Sequence, residues 1–176
     1  MATAHEDPPS EVIEGETCPF CGEKTLTLME TERDVPYFGK CFLFSMDCKS
    51  CKYHKADVEV AEKHKPVKQR FEVSSEEDLR VRVVKSSNAT LKVGTIGTIE
   101  PGEAANGYIT NIEGILKRIQ RATEQLRDAA LEEGDKEAAK KAKNHLKKLS
   151  RVLWGQEKLT ITLTDPTGNS AIISAK

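Results

Sequence analysis

The sequence predicts a mainly β protein of the α+β class: an N-terminal four-cysteine zinc ribbon, then a β-domain interrupted by an antiparallel helical hairpin. Three observations predict it. Two Cys-x-x-Cys pairs, Cys18-Pro19-Phe20-Cys21 and Cys48-Lys49-Ser50-Cys51, flank a hairpin-sized insert. Apolar residues alternate with period two between about 70 and 100 and return as strand-like runs after 159. Between those stretches the period changes to that of a helix, twice.

The cysteine spacing follows from what a metal needs. Two intervening residues form a tight turn that aims both sulfurs at one ion, with Zn–S near ~2.3 Å. Gly22, directly after Cys21, suits the left-handed backbone of such a knuckle, whereas Lys52 stands at the equivalent place of the second. A redox Cys-x-x-Cys sits singly at a helix start, and here two knuckles are flanked by strand-like sequence. Disulfides need an oxidising compartment, and Met1-Ala2-Thr3-Ala4-His5-Glu6-Asp7 has neither the basic nor the apolar segment of a signal peptide. The expectation is one structural Zn2+ held by Cys18, Cys21, Cys48 and Cys51, with no open position for water or substrate.

Charged residues make up 31% of the 176, and the formal net charge is −1, so no global basic excess points to a dedicated nucleic-acid binder. No apolar run reaches the ~18 residues of a membrane helix. The cytoplasm is the expected address. Of five cysteines, Cys41 lies outside the knuckles and reads as a buried small apolar residue.

Taken in order, residues 1–14 are acidic with Pro8-Pro9 and read as a mobile tail. The zinc ribbon is expected over 15–57, with strands around Leu26–Thr31 and Cys41–Met46 joined through a broad tip, Asp34–Gly39. A module this small cannot bury enough apolar surface alone, so zinc supplies much of its folding free energy. The β-domain is expected over 58–176. It opens with a charged linker or outer strand, followed by strands at Arg70–Val73, Leu79–Val84, Thr90–Val93 and Thr95–Glu100.

At Thr110-Asn111-Ile112-Glu113 the pattern fits a capping box on Thr110. Ile112, Ile115, Leu116, Ile119, Leu126 and Ala130 then share one helical stripe. Ala139, Ala142, Leu146, Leu149 and Leu153 share another, so residues 111–154 form an inserted helical hairpin. Strands return at Leu159–Leu163 and Ala171–Ile173 and must pair with earlier strands across that insertion.

Three further stretches attract functional readings. The second helix carries Lys136, Lys140, Lys141, Lys143, Lys147, Lys148 and Arg151, which suits either an RNA or acidic partner or a solvated helix face. The aromatic pair Tyr37 and Phe38 at the ribbon tip suits a partner-binding spot or an interdomain contact. Asp165-Pro166-Thr167-Gly168-Asn169-Ser170 has the composition of a turn. His54, near the second knuckle, is at most an outer neighbour of the metal. No nucleophile, base or phosphate loop emerges, and an enzyme is not expected.

Five segments, in order, resemble the ZPR zinc-finger family. They are Cys18–Gly22, Thr31–Phe38, Asp78–Ser86, Gly107–Gly114 and Asp165–Ser170, and the likeness covers roughly residues 16–174. One copy of the repeat is present, as in archaeal members, whereas eukaryotic members resemble two tandem copies. The resemblance implies a ribbon like that of a translation initiation factor zinc finger, and a double-stranded β-helix-like domain carrying the helical hairpin. It also implies a chaperone-like or regulatory protein whose partner is translation elongation factor 1-alpha. Lys52 departs from the family glycine. The alternative is an RNA-binding zinc ribbon protein.

Overall fold

The computed structural model describes residues 10–35, 39–60, 64–102 and 105–174. Ser10–Glu16 (β1), Leu26–Val35 (β2), Gly39–Cys48 (β3) and His54–Val60 (β4) form one antiparallel sheet in the order β1-β2-β3-β4. Its central ladder runs unbroken from Leu26↔Cys48 to Val35↔Gly39. Residues 10–14, expected in a mobile tail, belong instead to β1, which pairs with β2 from Ser10↔Thr31 onward. Every residue of β1 is exposed, so its order comes from ladder hydrogen bonds and not from burial, a source that apolar patterning does not signal. The Ser10 hydroxyl also accepts from Thr31 Oγ1 at 2.5 Å.

The second half is a jelly-roll of two sheets. Val67–Val73 (β5), Leu159–Asp165 (β10), Thr90–Val93 (β7) and Gly97–Ile99 (β8) make one, in the order β5-β10-β7-β8; Ala171–Ile173 (β11), Arg82–Lys85 (β6) and Tyr108–Asn111 (β9) make the other, in the order β11-β6-β9. The strands after the hairpin do pair back across it, since β10 lies between β5 and β7 and β11 lies against β6. Leu79 was expected on a strand and sits instead in a single turn of 3-10 helix, Glu77–Arg80. The buried Asp78 carboxylate sets that turn by accepting from the Ser74 N–H, the Ser74 hydroxyl and the Ser75 N–H at 2.9, 2.8 and 3.1 Å.

Helices Ile112–Glu132 (α1) and Lys136–Leu153 (α2) follow each other with a short turn. The cap of α1 is Asn111, whose side chain accepts from the Gly114 N–H at 2.8 Å; Thr110, the expected cap, is the strand residue before it. Ile112, Ile115, Leu116, Leu149 and Val152 insert into the jelly-roll core beside Leu91, Val93, Ile161 and Leu163. Each such side chain contributes on the order of 1.5–3 kcal/mol by leaving water, so the base of the hairpin is firmly anchored. Towards the far end only Thr123 and small Ala130, Ala139 and Ala142 are buried, and Leu126, expected on the apolar stripe, is 68% exposed. There α1 packs mainly on α2, with Thr95 and Ile96 at its side, and the stripe narrows accordingly.

Candidate metal centre

The two knuckles are built alike. The Gly22 N–H donates to the Cys18 carbonyl at 2.9 Å, and the Lys52 N–H donates to the Cys48 carbonyl at 3.1 Å. Both residues take the left-handed backbone, φ 74° at Gly22 and φ 61° at Lys52. Lys52 therefore adopts the conformation glycine favours, and its ammonium is occupied with the Lys49 carbonyl at 3.1 Å. Two further bonds, Cys18 N–H to the Glu23 carbonyl and Cys48 N–H to the Tyr53 carbonyl, close the turns at 2.9 and 2.8 Å.

The folded knuckles bring the four sulfurs of Cys18, Cys21, Cys48 and Cys51 within 4.8 Å of one another. Cys18 Sγ to Cys51 Sγ and Cys21 Sγ to Cys48 Sγ are each 3.7 Å. A tetrahedron with Zn–S of ~2.3 Å has edges of about 3.8 Å, so the donor set fits one zinc ion, and the all-sulfur chemistry is that of a closed structural site. Cys18 and Cys48 are buried while Cys21 and Cys51 face outward, so the ion would close the open end of the ribbon. Two of the thiols are shifted in opposite directions. The Thr25 hydroxyl, 3.3 Å from Cys48 Sγ, together with knuckle N–H groups, brings Cys48 down to about 6. At Cys51 the Tyr53 N–H pulls downward, yet local desolvation beside the cluster and the other three sulfurs push the thiol up to about 12. Cys48 and Cys51 thus hold their protons unequally, as expected of neighbouring thiols that only a cation allows to ionise together.

Two contributors escaped the sequence reading. Thr25 is one; the other is the stack of Phe20 on Tyr53, with ring centroids 4.6 Å apart, which ties one knuckle to the other. An aromatic inside the first knuckle and another two residues past the second were the available signal. His54 bonds Asp47 at 2.6 Å, both largely exposed. Cys41 is fully buried, and burial, aided by the Asp34 carboxylate, pushes its thiol up. Tyr37 and Phe38 lie outside the described residues.

The remaining motif segments form a seam and a polar knot. The Gly107 N–H donates to the Asp57 carboxylate of the ribbon at 2.6 Å. Val35, Cys41, Val58 and Val60 of the ribbon pack on Val84, Ala171 and Ile173. In the Asp165–Ser170 turn the fully buried Asp165 carboxylate accepts from the Ser170 hydroxyl, the Ser86 hydroxyl at 2.7 Å, and the Thr167 N–H and hydroxyl at 2.7 and 2.6 Å. Burial raises its pKa, but these donors outweigh burial and leave it lowered. Nearby, buried Lys85 donates to the Ser86 carbonyl at 3.0 Å, and the Arg118 guanidinium stacks on the Tyr108 ring at 4.2 Å. On α2, Lys148 and Arg151 approach Glu157 at 3.5 and 3.9 Å, while Lys140, Lys141, Lys143 and Lys147 are exposed with no ion pair among the described residues.

A four-sulfur ribbon whose sheet is welded to a jelly-roll bearing a helical hairpin defines a zinc-finger protein of two joined β modules. Residues 11–66 match the ZPR1 zinc-finger domain and residues 77–176 the ZPR1 jelly-roll domain, so the chain belongs to the ZPR1 family. It is 38% identical over 161 residues to an uncharacterised ZPR1-like protein of Pyrococcus horikoshii, covering 90% of this chain and 72% of that one. A ZPR1-like protein of Methanocaldococcus jannaschii is 37% identical over 158 residues, covering 89% and 78%. The zinc finger chaperone of Schizosaccharomyces pombe is 34% identical over 98% of this chain, which spans only 37% of that relative. None of the helices described is long and apolar enough to cross a membrane.

Proposed function

We propose that this chain is a zinc-stabilised protein-interaction module, a chaperone-like or regulatory partner of translation elongation factor 1-alpha. Cys18, Cys21, Cys48 and Cys51 are its zinc ligands, and Tyr37 and Phe38 form part of the partner surface. The observation that carries the reading is the kinship with a relative named as a zinc finger chaperone. The closed sulfur set agrees with it, because four thiolates leave the metal no position for chemistry. Co-purification with the GTPase in its nucleotide-free, GDP and GTP states tests the proposal. Capture in at least one state supports it, and no capture in any state overturns it. Loss of capture on Tyr37→Ala with Phe38→Ala supports the tip, and undiminished capture removes it.

The second reading is RNA binding by the zinc ribbon and the basic helix α2, favoured by Lys140, Lys141 and Lys147, which are exposed and have no ion pair among the described residues. It predicts affinity that falls steeply with salt and drops on charge reversal at those three positions.

A further inference from the structure

The ribbon sheet has two faces with different fates. Val35, Cys41, Val58 and Val60 point to the jelly-roll and are covered by it. On the other face, register aligns Ile13, Leu28, Met46 and Lys55 in one cross-strand row and Glu11, Glu30, Phe44 and Asp57 in the next. Phe42 continues the apolar stripe along β3, its ring 6.5 Å from that of Phe44. At one end Leu28 and Met46 lean on the knuckle core of Cys18, Leu26 and Cys48, and no jelly-roll residue belongs to this stripe's packing among the described residues. Ile13 is 53% exposed, and Leu28, Phe42, Phe44 and Met46 are each only part-buried. Shallow grooves of about 170 and 220 Å3 flank the Phe44–Met46 ridge on its two sides.

The rim of this face is acidic. Glu11 and Glu30 edge the first groove and Glu59 the second, and none of the three has an ion-pair partner among the described residues. Glu32 is satisfied by Lys40 at 2.7 Å, and Asp57 by the Val58 and Gly107 N–H groups, so those two carboxylates are spoken for. Lys55 is the one cation lining the second groove. Apolar side chains at the centre with three unpaired carboxylates against a single cation around them is the arrangement of a docking patch for an oppositely charged amphipathic segment.

The size of the stripe selects the form of that segment. From β1 to β3 it spans two strand spacings, roughly 10 Å, and from Phe42 to Met46 four strand residues, roughly 14 Å. An α-helix is about 10–12 Å across and rises ~1.5 Å per residue, so the stripe fits about nine residues of one helix. We propose that this open ribbon face docks a cationic amphipathic helix of a protein partner, with leucine-like residues on the Phe44–Met46 ridge and lysine or arginine against Glu11, Glu30 and Glu59. The proposal rests on the reading of this chain as a protein-interaction module and names the surface and the chemistry of the partner. Nucleic acid and anionic membrane are repelled by the same carboxylates.

The test uses the full zinc-loaded chain and two synthetic 14-residue amphipathic peptides, one of leucine and lysine, the other of leucine and glutamate, followed by fluorescence anisotropy. The leucine–lysine peptide is expected to bind and the leucine–glutamate peptide to fail. Glu11→Lys, Glu30→Lys and Glu59→Lys together should weaken binding at least about tenfold with zinc content unchanged. An equal charge change on α1 and its C-cap, at Glu124, Glu132 and Glu133, should leave affinity within about twofold. Equal binding of both peptides, or equal loss from both triple variants, overturns the proposal. Capture of the elongation-factor GTPase by the wild type but not by the ribbon triple supports the face. Capture undiminished by the ribbon triple overturns the face and leaves the proposed function standing. No capture by the wild type refutes that function, and the peptide result then decides the face alone.

Discussion

Asp57 and Gly107 join the two halves of the chain across a contact with no room to spare. The Gly107 N–H donates to Asp57 Oδ1 at 2.6 Å, and a β-carbon on Gly107 would lie 2.6 Å from the Val58 carbonyl oxygen. Ribbon and jelly-roll therefore meet backbone to backbone. Gly107→Ala is expected to destabilise the protein by about 1–3 kcal/mol through forced separation of β4 from β9. Asp57→Ala should cost about 1–3 kcal/mol by leaving the buried Gly107 N–H without an acceptor. Urea unfolding of each variant measures both, and costs below a few tenths of a kcal/mol refute the seam.

Zinc content and local protection test the metal centre. About one zinc per chain is expected by elemental analysis, and Cys48→Ser or Cys51→Ser should reduce it to well below that. The core next to the sulfurs is only Cys18, Leu26 and Cys48, with Leu28, Met46 and Tyr53 packed against it. Chelation should therefore abolish hydrogen-exchange protection around the knuckles and spare β10, whose Leu159, Ile161 and Leu163 lie in the jelly-roll core. Simultaneous loss in both places would contradict this.

Lys52→Gly replaces a lysine held at φ 61° by the residue that the conformation favours. The left-handed strain removed is about 1–2 kcal/mol, and part of it is offset by the greater freedom of glycine in the unfolded chain. The expected outcome is unchanged or slightly tighter zinc retention against a competing chelator. Markedly weaker retention would assign Lys52 a direct role in balancing thiolate charge.

Asp165 carries a pH signature. Its folded pKa is lowered by hydroxyl and N–H donors, so its contribution is fully present above the unfolded value of about 4 and is lost as pH falls through the folded value. Asp165→Asn should cost about 1–3 kcal/mol at pH 7. The gap between wild type and variant should close in acid, where protonated Asp165 resembles an amide. Stability curves from pH 7 down to acid unfolding decide it; a constant gap would deny that the carboxylate is ionised in the fold.

Tyr108 offers the opposite sign. Its hydroxyl is buried without a hydrogen-bond partner among the described residues, and burial raises its pKa, although Arg118 opposes the shift. Tyr108→Phe keeps the ring under Arg118 and removes the unpaired group, so thermal unfolding should show no loss, or a gain of up to about 1 kcal/mol. A clear loss would show that the hydroxyl has a partner.

Most of the architecture was readable because it rests on periodic signals. The knuckle spacing, the two helical stripes and the β-turn–β pattern after 159 each reflect a regular geometric demand. The misreadings fall where a local polar bond overrides the period. Asp78 gathers three donors and turns Leu79 into a 3-10 helix. Asn111 caps α1 one residue later than the Thr-x-x-Glu pattern suggests, because Glu113 is engaged with Lys117 at 2.6 Å and does not reach back. Residues 10–14 become a strand without burying a side chain. At the metal centre the four sulfurs were legible in one dimension, whereas Thr25 and the Phe20–Tyr53 stack depend on how the turns approach one another. The open ribbon face was invisible for a related reason: strand alternation says that two faces exist, but not which one the rest of the molecule covers.

The insertion of the hairpin between β9 and β10 also sets an order of events during synthesis. The Leu159↔Val73 pair joins residues 86 positions apart, with both helices between them. The four ribbon strands all lie between Ser10 and Val60 and can pair as soon as that segment leaves the ribosome. The sheet containing β10 gains its central strand only after both helices have been made, so β5 and β7 wait with their inner faces bare. A nascent chain arrested before residue 159 should thus hold a metal-loaded ribbon beside an unclosed jelly-roll.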